Sequence, residues 1–261
     1  MSTITTIGEL PLVLTMLVSF LAAIEISFRF GHRRAAVEER LRAHVGALQA
    51  ALLGLLALLL GFAFAMAVSR FDTRKALVLE ESNAIGTTYL RARLLPEPQR
   101  QELKQLLRAY VDARLAFYDA GTDANRLGAA SSAAAQLSER LWSIAASLAE
   151  KEPRSVPLGL FVESLNDVID LHEKRLQALE NHVPEAVLYL LYGVAAVALG
   201  FIGYGCGLDH QRRAVSTALV SVLIALVLMV IIDIDRPRRG LIKVSQDSMV
   251  RLKRFIQQPG Q

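Results

Sequence analysis

The chain has 261 residues, of which 53% are hydrophobic and 21% charged, and its mean hydropathy is +0.36. This composition is too apolar for an ordinary soluble domain and excludes disordered, collagen-like and disulfide-rich chains. The net charge is +4, and the positive excess flanks the apolar segments, which is typical of the basic ends of membrane spans rather than of nucleic-acid binding. The single cysteine, Cys206, cannot form an internal disulfide or a paired-cysteine zinc or redox site.

Four apolar runs are long enough to cross a bilayer, which takes roughly 20 residues. They are residues 10–28, 45–69, 186–208 and 214–232. No basic stretch precedes the first run, so we expect it to be retained as a span rather than cleaved as a signal peptide. It contains Glu25, which must be paired or hydrated inside a bilayer. Glu25 is therefore either an ion-pathway residue or a near-interface partner of Arg29, and their spacing of four residues favours the second interpretation.

Residues 70–184 separate the second and third runs and show helical rather than strand periodicity. Apolar stripes with spacings of three and four residues predict helices within 103–115, 137–148 and 161–183. The second span lacks proline until Pro96, so we expect its helix to continue well beyond the membrane. Residues 121–132 are predicted to form a loop and residues 152–157 a turn.

These features predict an all-α integral membrane protein with four transmembrane helices and a helical insert outside the membrane. The predicted domains are residues 1–69 with the first two spans, 70–184 with the insert, 185–233 with the last two spans, and 234–261 as a basic tail. Basic residues near the membrane are slightly more numerous on the side of the insert, which favours a cytosolic insert and cytosolic termini. The arginine-rich segment 29–44 argues for the opposite orientation.

Signatures of catalysis and metal binding are missing from the sequence. It contains no phosphate-binding glycine loop, GxSxG elbow, HExxH pair or DxDxDG calcium loop, so we predict neither enzyme activity nor a cofactor. A membrane enzyme acting on lipid would need several polar residues at one depth, and Glu25 alone does not supply them. The five histidines are scattered, so no metal site is predicted.

Two polar segments adjoin the spans. The first begins with Arg70, Phe71 and Arg74 and continues through Glu80 and Glu81, and it fits either a solvated helix face or a packed polar interface. The second follows the fourth span and contains Asp233, Asp235, Pro237 and Gly240 among three arginines. Two carboxylates are too few for a calcium cage, so this second segment is better interpreted as a charge-paired helix end.

The second span carries two distinguishable faces. Small residues recur at spacings of three and four on one face, which suits close helix packing: Ala50, Gly54, Ala57, Gly61 and Ala65. Gly54, Leu58 and Phe62 form an adjacent line at every fourth position. By itself such a line is typical of a surface that faces lipid or the protein core.

The second span and the segment after the fourth span resemble the corresponding parts of bestrophins. The shared motifs are Leu60-Gly61-Phe62, Ser69-Arg70-Phe71, Arg74-Lys75 and Asp235-x-Pro237-x-x-Gly240. Together with the four-span plan and the helical insert, they make the whole chain similar to a bacterial bestrophin-like protein of the inner membrane.

This resemblance implies a homopentamer in the lipid bilayer that conducts inorganic ions, chiefly anions, through one axial pore. The second span would line a hydrophobic neck at Gly54, Leu58 and Phe62, which gates by dewetting, and the insert would form a cytosolic vestibule. Arg70, Phe71 and Arg74 would lie at the neck exit and the subunit interface. Gly54 departs from the bulky apolar residue of the family, which leaves the constriction to Leu58 and Phe62. Eukaryotic bestrophins also carry an acidic calcium clasp that this chain lacks, so calcium gating is not implied.

An alternative to the channel remains open at the level of sequence. A four-span protein with amphipathic helices in its insert could instead be a non-conducting scaffold or sensor that relays packing changes between partners.

Overall fold

The computed structural model describes residues 9–33 and 39–258, and in this part of the chain all regular structure is helical. The eight helices are α1 (Glu9–His32), α2 (Glu39–Ala92), α3 (Gln99–Asp119), α4 (Ala124–Lys151), α5 (Val156–Glu180), α6 (Glu185–Leu208), α7 (Ala214–Asp235) and α8 (Asp247–Gln257). Residues 1–8, 34–38 and 259–261, which the predicted domains include, lie outside the described residues.

Four helical stretches are long and apolar enough to cross a membrane, which confirms the predicted all-α fold with four spans. They are Pro11–His32, Arg42–Ala92, Val156–Leu208 and Ala214–Asp235, the third of which takes in both α5 and α6. Helix α2 has 54 residues, about 80 Å at 1.5 Å per residue, whereas a bilayer core is about 30 Å thick. The predicted continuation of the second span beyond the membrane is therefore confirmed, and the helix ends four residues before Pro96.

The chain divides into two compact units, and α2 contributes to both. The first unit comprises the described parts of Met1–Ser69 and His182–Arg236, and the second comprises those of Arg70–Asn181 and Pro237–Gln261. The C-terminal segment that the sequence suggested as a separate tail thus groups mainly with the insert.

Helices α1 and α6 pack closely in the first unit, and glycines make this approach possible. A Cβ atom at Gly203 would lie 2.3 Å from the carbonyl oxygen of Ile24, and one at Gly207 would lie 2.3 Å from that of Phe28. Between membrane helices, where lipid removes the hydrophobic drive for association, backbone approach of this kind supplies the packing. The glycines predicted for such packing, Gly54 and Gly61 on α2, instead face no described atom within 4 Å.

We expect Gly203→Ala to lower the melting temperature of the detergent-purified protein. The added methyl group forces α1 and α6 apart, and overpacking of this kind costs about 1–3 kcal/mol. Gly193→Ala on the same helix is the matched control, because a Cβ atom there meets nothing within 4 Å. Equal melting temperatures for the two variants would contradict the proposed role of Gly203.

The second unit has an apolar core built from the extension of α2 with α3, α4, α5 and α8. The predicted stripes are confirmed on α3 by Leu103 and Leu107, on α4 by Leu141, and on α5 by Phe161 and Leu165, all fully buried. These buried side chains form the hydrophobic core of the second unit.

Two local predictions for the second unit were wrong or incomplete. The predicted loop at 121–132 is largely the start of α4, because the carboxylate of Asp123 accepts hydrogen bonds from the backbone N–H groups of Asn125 and Arg126 and caps that helix. The predicted basic tail contains α8, which buries Met249, Leu252 and Ile256. Their spacing of three and four residues was the signal that could have identified this helix.

Candidate functional site

Helix α2 exposes large apolar side chains along its membrane-spanning part, and Leu58 and Phe62 are the most exposed of them. Leu58 is 55% exposed and Phe62 is 63% exposed, and Gly54 continues the same line without a neighbour. Leu56 and Ala63, by contrast, are buried within the protomer. A large apolar face left open on one protomer must be covered by lipid, by another subunit, or line a dry passage.

Just beyond the span, Arg74 is buried and holds the end of another helix. Its Nε donates to the carbonyl of Ala178 and its Nη2 to the carbonyl of Asn181, both at 2.9 Å. These carbonyls lie at the C-terminal end of α5, where helices leave acceptors unpaired and favour a positive charge. The neighbouring side chains of Arg70 and Phe71 are half-buried. Arg74 therefore fastens α2 to α5, a role that motif resemblance alone did not specify.

Two turns further along the extension of α2, the carboxylate of Glu81 lies fully buried between two arginines. Its Oε1 is 2.8 Å from Nε of Arg114 on α3, and its Oε2 accepts a hydrogen bond from Nη1 of Arg175 on α5. Arg175 also donates to Gln246, just before α8. The sequence allowed either a solvated helix face or a packed polar interface for this segment. Glu81 lies in a packed polar interface, whereas Glu80 is exposed.

Two uncharged groups complete this buried network. Tyr110 Oη lies 3.4 Å from Glu81 Oε1 and 3.3 Å from Nδ1 of His172. Burial and the charge of Arg114 lower the pKa of His172, while burial and the charge of Glu81 raise the pKa of Tyr110. Both side chains are therefore neutral at pH 7. They lie beside the carboxylate of Glu81, which is paired with the guanidinium groups of Arg114 and Arg175.

We expect Glu81→Gln to destabilise the protein by about 3–5 kcal/mol, because it leaves two buried cations without their counter-charge. The measurement is thermal or denaturant unfolding of the full chain in detergent. Glu80→Gln removes the same charge from an exposed position and should change stability by less than about 0.5 kcal/mol. A similar loss for both variants would show that charge removal from α2, rather than the buried network, is responsible.

A pH dependence follows from the lowered pKa of His172. The unfolded chain takes up a proton at this residue below its ordinary pKa of 6.5, and the folded protein does so only at lower pH. Stability therefore falls as the pH drops below about 6.5. We expect the melting temperature of the wild type relative to His172→Gln to decline between about pH 7.5 and 5.5. A difference that stays constant over that range would show that His172 does not titrate differently on unfolding.

Glu25, the acidic residue of the first span, forms ion pairs with two arginines. Its Oε1 is 2.8 Å from Nε of Arg29 and 2.7 Å from Nη2 of Arg212. The pair with Arg29 is the one that the spacing of four residues suggested. Arg212 is 187 residues away in sequence, so its proximity could be found only from the fold.

The acidic segment after the fourth span is used for structural contacts in the first unit. Asp233 and Asp235 are both buried, and both carboxylate oxygens of Asp235 lie 3.0 Å from the backbone nitrogen of Val183, which donates to them. Pro237 is half-buried and Gly240 is buried within the second unit. Asp235 therefore joins the end of α7 to the segment preceding α6.

Metal-ligating side chains do not cluster in the described ranges 9–33 and 39–258, where no group of three His, Cys, Asp or Glu residues could hold an ion. Two histidines that are distant in sequence do meet, with Nδ1 of His32 located 2.9 Å from Nδ1 of His210. A pair of this kind provides too few ligands for a structural zinc site.

Comparison with known proteins gives matches over nearly the whole chain. The family model described as the bestrophin-like domain matches residues 12–249. A tryptophan-to-alanine variant of a bacterial bestrophin homologue from Klebsiella pneumoniae has a TM-score of 0.69 at 17% identity, covering 95% of this chain and 96% of that one. A tyrosine-to-alanine variant of a bestrophin homologue from the same organism has a TM-score of 0.65 at 18% identity, covering 94% and 96%.

A further solved structure, described as a membrane protein with a leucine-to-alanine change, has a TM-score of 0.66 at 16% identity over 94% of this chain and 95% of that one. Identities this low demonstrate a shared fold and no more. No curated protein sequence matches this chain.

Proposed function

The chain belongs to the bestrophin-like family, and on that premise we propose that it is the subunit of a homopentameric, anion-conducting channel of the bacterial inner membrane. Bestrophins are chloride channels rather than enzymes, and four helices of this chain are able to span a membrane. The observation that carries the proposal is the open line of Gly54, Leu58 and Phe62 on α2. Leu58 and Phe62 are more than half exposed, and a Cβ atom at Gly54 would meet no described atom within 4 Å, as a pore-lining face requires.

In this proposal, α2 of each subunit faces the symmetry axis, and Leu58 and Phe62 form successive apolar rings. A narrow apolar ring makes a continuous water column unfavourable, so the neck closes by dewetting. Gly54 adds no side chain and leaves its level of the pore wide. Arg70, Phe71 and Arg74 follow at the neck exit, where Arg74 is held by the carbonyls of α5.

We further propose that the insert and both termini lie in the cytosol. The slight excess of basic residues on that side of the spans supports this orientation. The buried core of the second unit suits an aqueous location, because its packing is driven by the removal of apolar surface from water.

The first test is the oligomeric mass of the detergent-purified protein, measured by native mass spectrometry and by particle averaging. A pentamer with an axial hole is expected. A monomer or dimer would refute the pore and leave a non-conducting membrane scaffold as the better explanation of the same fold.

The second test is conductance in planar bilayers. We expect Leu58→Ala and Phe62→Ala to raise the current several-fold, because smaller side chains widen the apolar rings, and Gly54→Leu to lower it. Gly54→Leu should fold normally, since a Cβ atom there meets nothing within 4 Å.

Phe64→Ala is the matched control for these conductance measurements. Phe64 is 42% exposed and lies two residues from Phe62, on a face rotated by about 200°. If Phe62→Ala and Phe64→Ala change the current equally, or if neither changes it, the constriction is not at Phe62.

A further inference from the structure

The second unit contains a cavity of about 250 Å³ between the extension of α2, the end of α3, α5 and the segment after Pro237. It is lined on one side by apolar side chains, among them Leu77, Val78, Leu179 and Val244. The cationic side chains on its lining are Arg74, Arg175, Arg238 and Lys243. A cavity with one apolar wall and a few convergent charges is the usual form of a small-molecule site.

Arg238 is a half-buried cation on the lining of the cavity. Its guanidinium carbon lies 4.4 Å from the centroid of the Phe117 ring, and it makes no hydrogen bond or ion pair within the described part of the chain. Lys243 is exposed at the rim of the cavity. Arg74 donates hydrogen bonds to the carbonyl groups of Ala178 and Asn181.

Among the described residues that line the cavity, cationic side chains outnumber carboxylates. Asp119 is the carboxylate among the described lining residues. The buried Glu81 is already shared between Arg175 and Arg114, and Arg114 lies on Phe117 with its guanidinium carbon 5.5 Å from the ring centroid. In accordance with this excess, burial and the nearby charge of Arg114 lower the pKa of Arg238. An anion bound beside Arg238 would relieve the repulsion.

The size of the cavity limits the ligand to a small molecule. An apolar cavity of about 150 Å³ holds one benzene molecule. The larger volume here leaves room for a compact apolar group together with one carboxylate or phosphate.

We propose that this cavity binds a small organic anion, whose charged group pairs with Arg238 and Lys243 and whose apolar body packs on Leu77, Val78 and Val244. Arginine is well suited to this function because its planar fork matches carboxylate and phosphate oxygens. The site is distinct from the proposed pore, so its failure would leave the conductance tests unaffected.

The test is calorimetric titration of the full-length protein in detergent with benzoate, benzamide and inorganic phosphate at constant ionic strength. Benzoate is expected to bind at least ten times more tightly than benzamide, which has the same shape without the charge. It should also bind more tightly than phosphate, which lacks the apolar body. Equal affinity for benzoate and phosphate, or for benzoate and benzamide, would overturn the proposal.

Arg238→Gln should weaken benzoate binding at least tenfold, and Lys243→Gln should weaken it to a smaller extent. Arg254→Gln removes an equal charge from an exposed position on α8 that does not line the cavity, and should leave the affinity unchanged. Phe62→Ala should also leave it unchanged, which separates this site from binding in the pore. Equal affinity in the wild type and both cavity variants would overturn the proposal.

A structure of the unmodified chain with 4-bromobenzoate gives a result that does not depend on any variant folding. Bromine density between Leu77 and Arg238 is expected. Density confined to other parts of the molecule, or none at saturating concentration, would show that the cavity is not the site.

Discussion

The burial of the Glu81 carboxylate between Arg114 and Arg175 is the constraint on which the second unit depends. Three charges removed from water are costly, and they are tolerated because the carboxylate is bound on both of its oxygens. The three residues come from α2, α3 and α5, so any shift of one helix along another would separate a buried charge from its partner. We therefore interpret this network as the feature that fixes the register of α2 against the bundle.

In the proposed topology, with the second unit in water and the spans in lipid, the two units are stabilised in different ways. In the second unit, removal of apolar side chains such as Phe161 and Leu165 from water supplies the stabilisation. In the first unit, lipid is as apolar as leucine, so helix association depends on close backbone contact at Gly203 and Gly207. Helix α2 passes from one environment to the other without interruption, and its composition changes accordingly at Ser69 and Arg70.

Features that depend on local sequence could be predicted, and those that depend on distant contacts could not. The four spans and the apolar stripes follow from run length and from spacings of three and four residues, which are properties of neighbouring positions. The partner of Glu25 in Arg212 and the attachment of Arg74 to Asn181 join residues more than 100 positions apart. The spacing of residues along the sequence does not predict such pairs, because they are brought together by the packing of whole helices.

The proposed neck residues show that local sequence is also insufficient to predict function. Gly54, Leu58 and Phe62 form a line in any helix because they are spaced by four residues. In a span that is apolar on all sides, such a line does not by itself indicate a pore. The fold adds that the line is open on the protomer, while Leu56 and Ala63 face inward. A pore-lining face and a lipid-facing face are equally open on one protomer, so the direction of the conductance change at Gly54, opposite to that at Phe62, is the informative measurement.

The charge around the segment that follows α7 argues for an anion rather than a cation at this level of the molecule. Asp235 directs both carboxylate oxygens to a backbone N–H, which engages the oxygens that a divalent ion would need. Within the second unit, Arg238 and Lys243 place positive charge on the lining of the cavity, and the guanidinium groups of Arg238 and Arg114 both lie near the Phe117 ring. A calcium ion would be repelled by these groups, whereas a carboxylate or phosphate would be attracted.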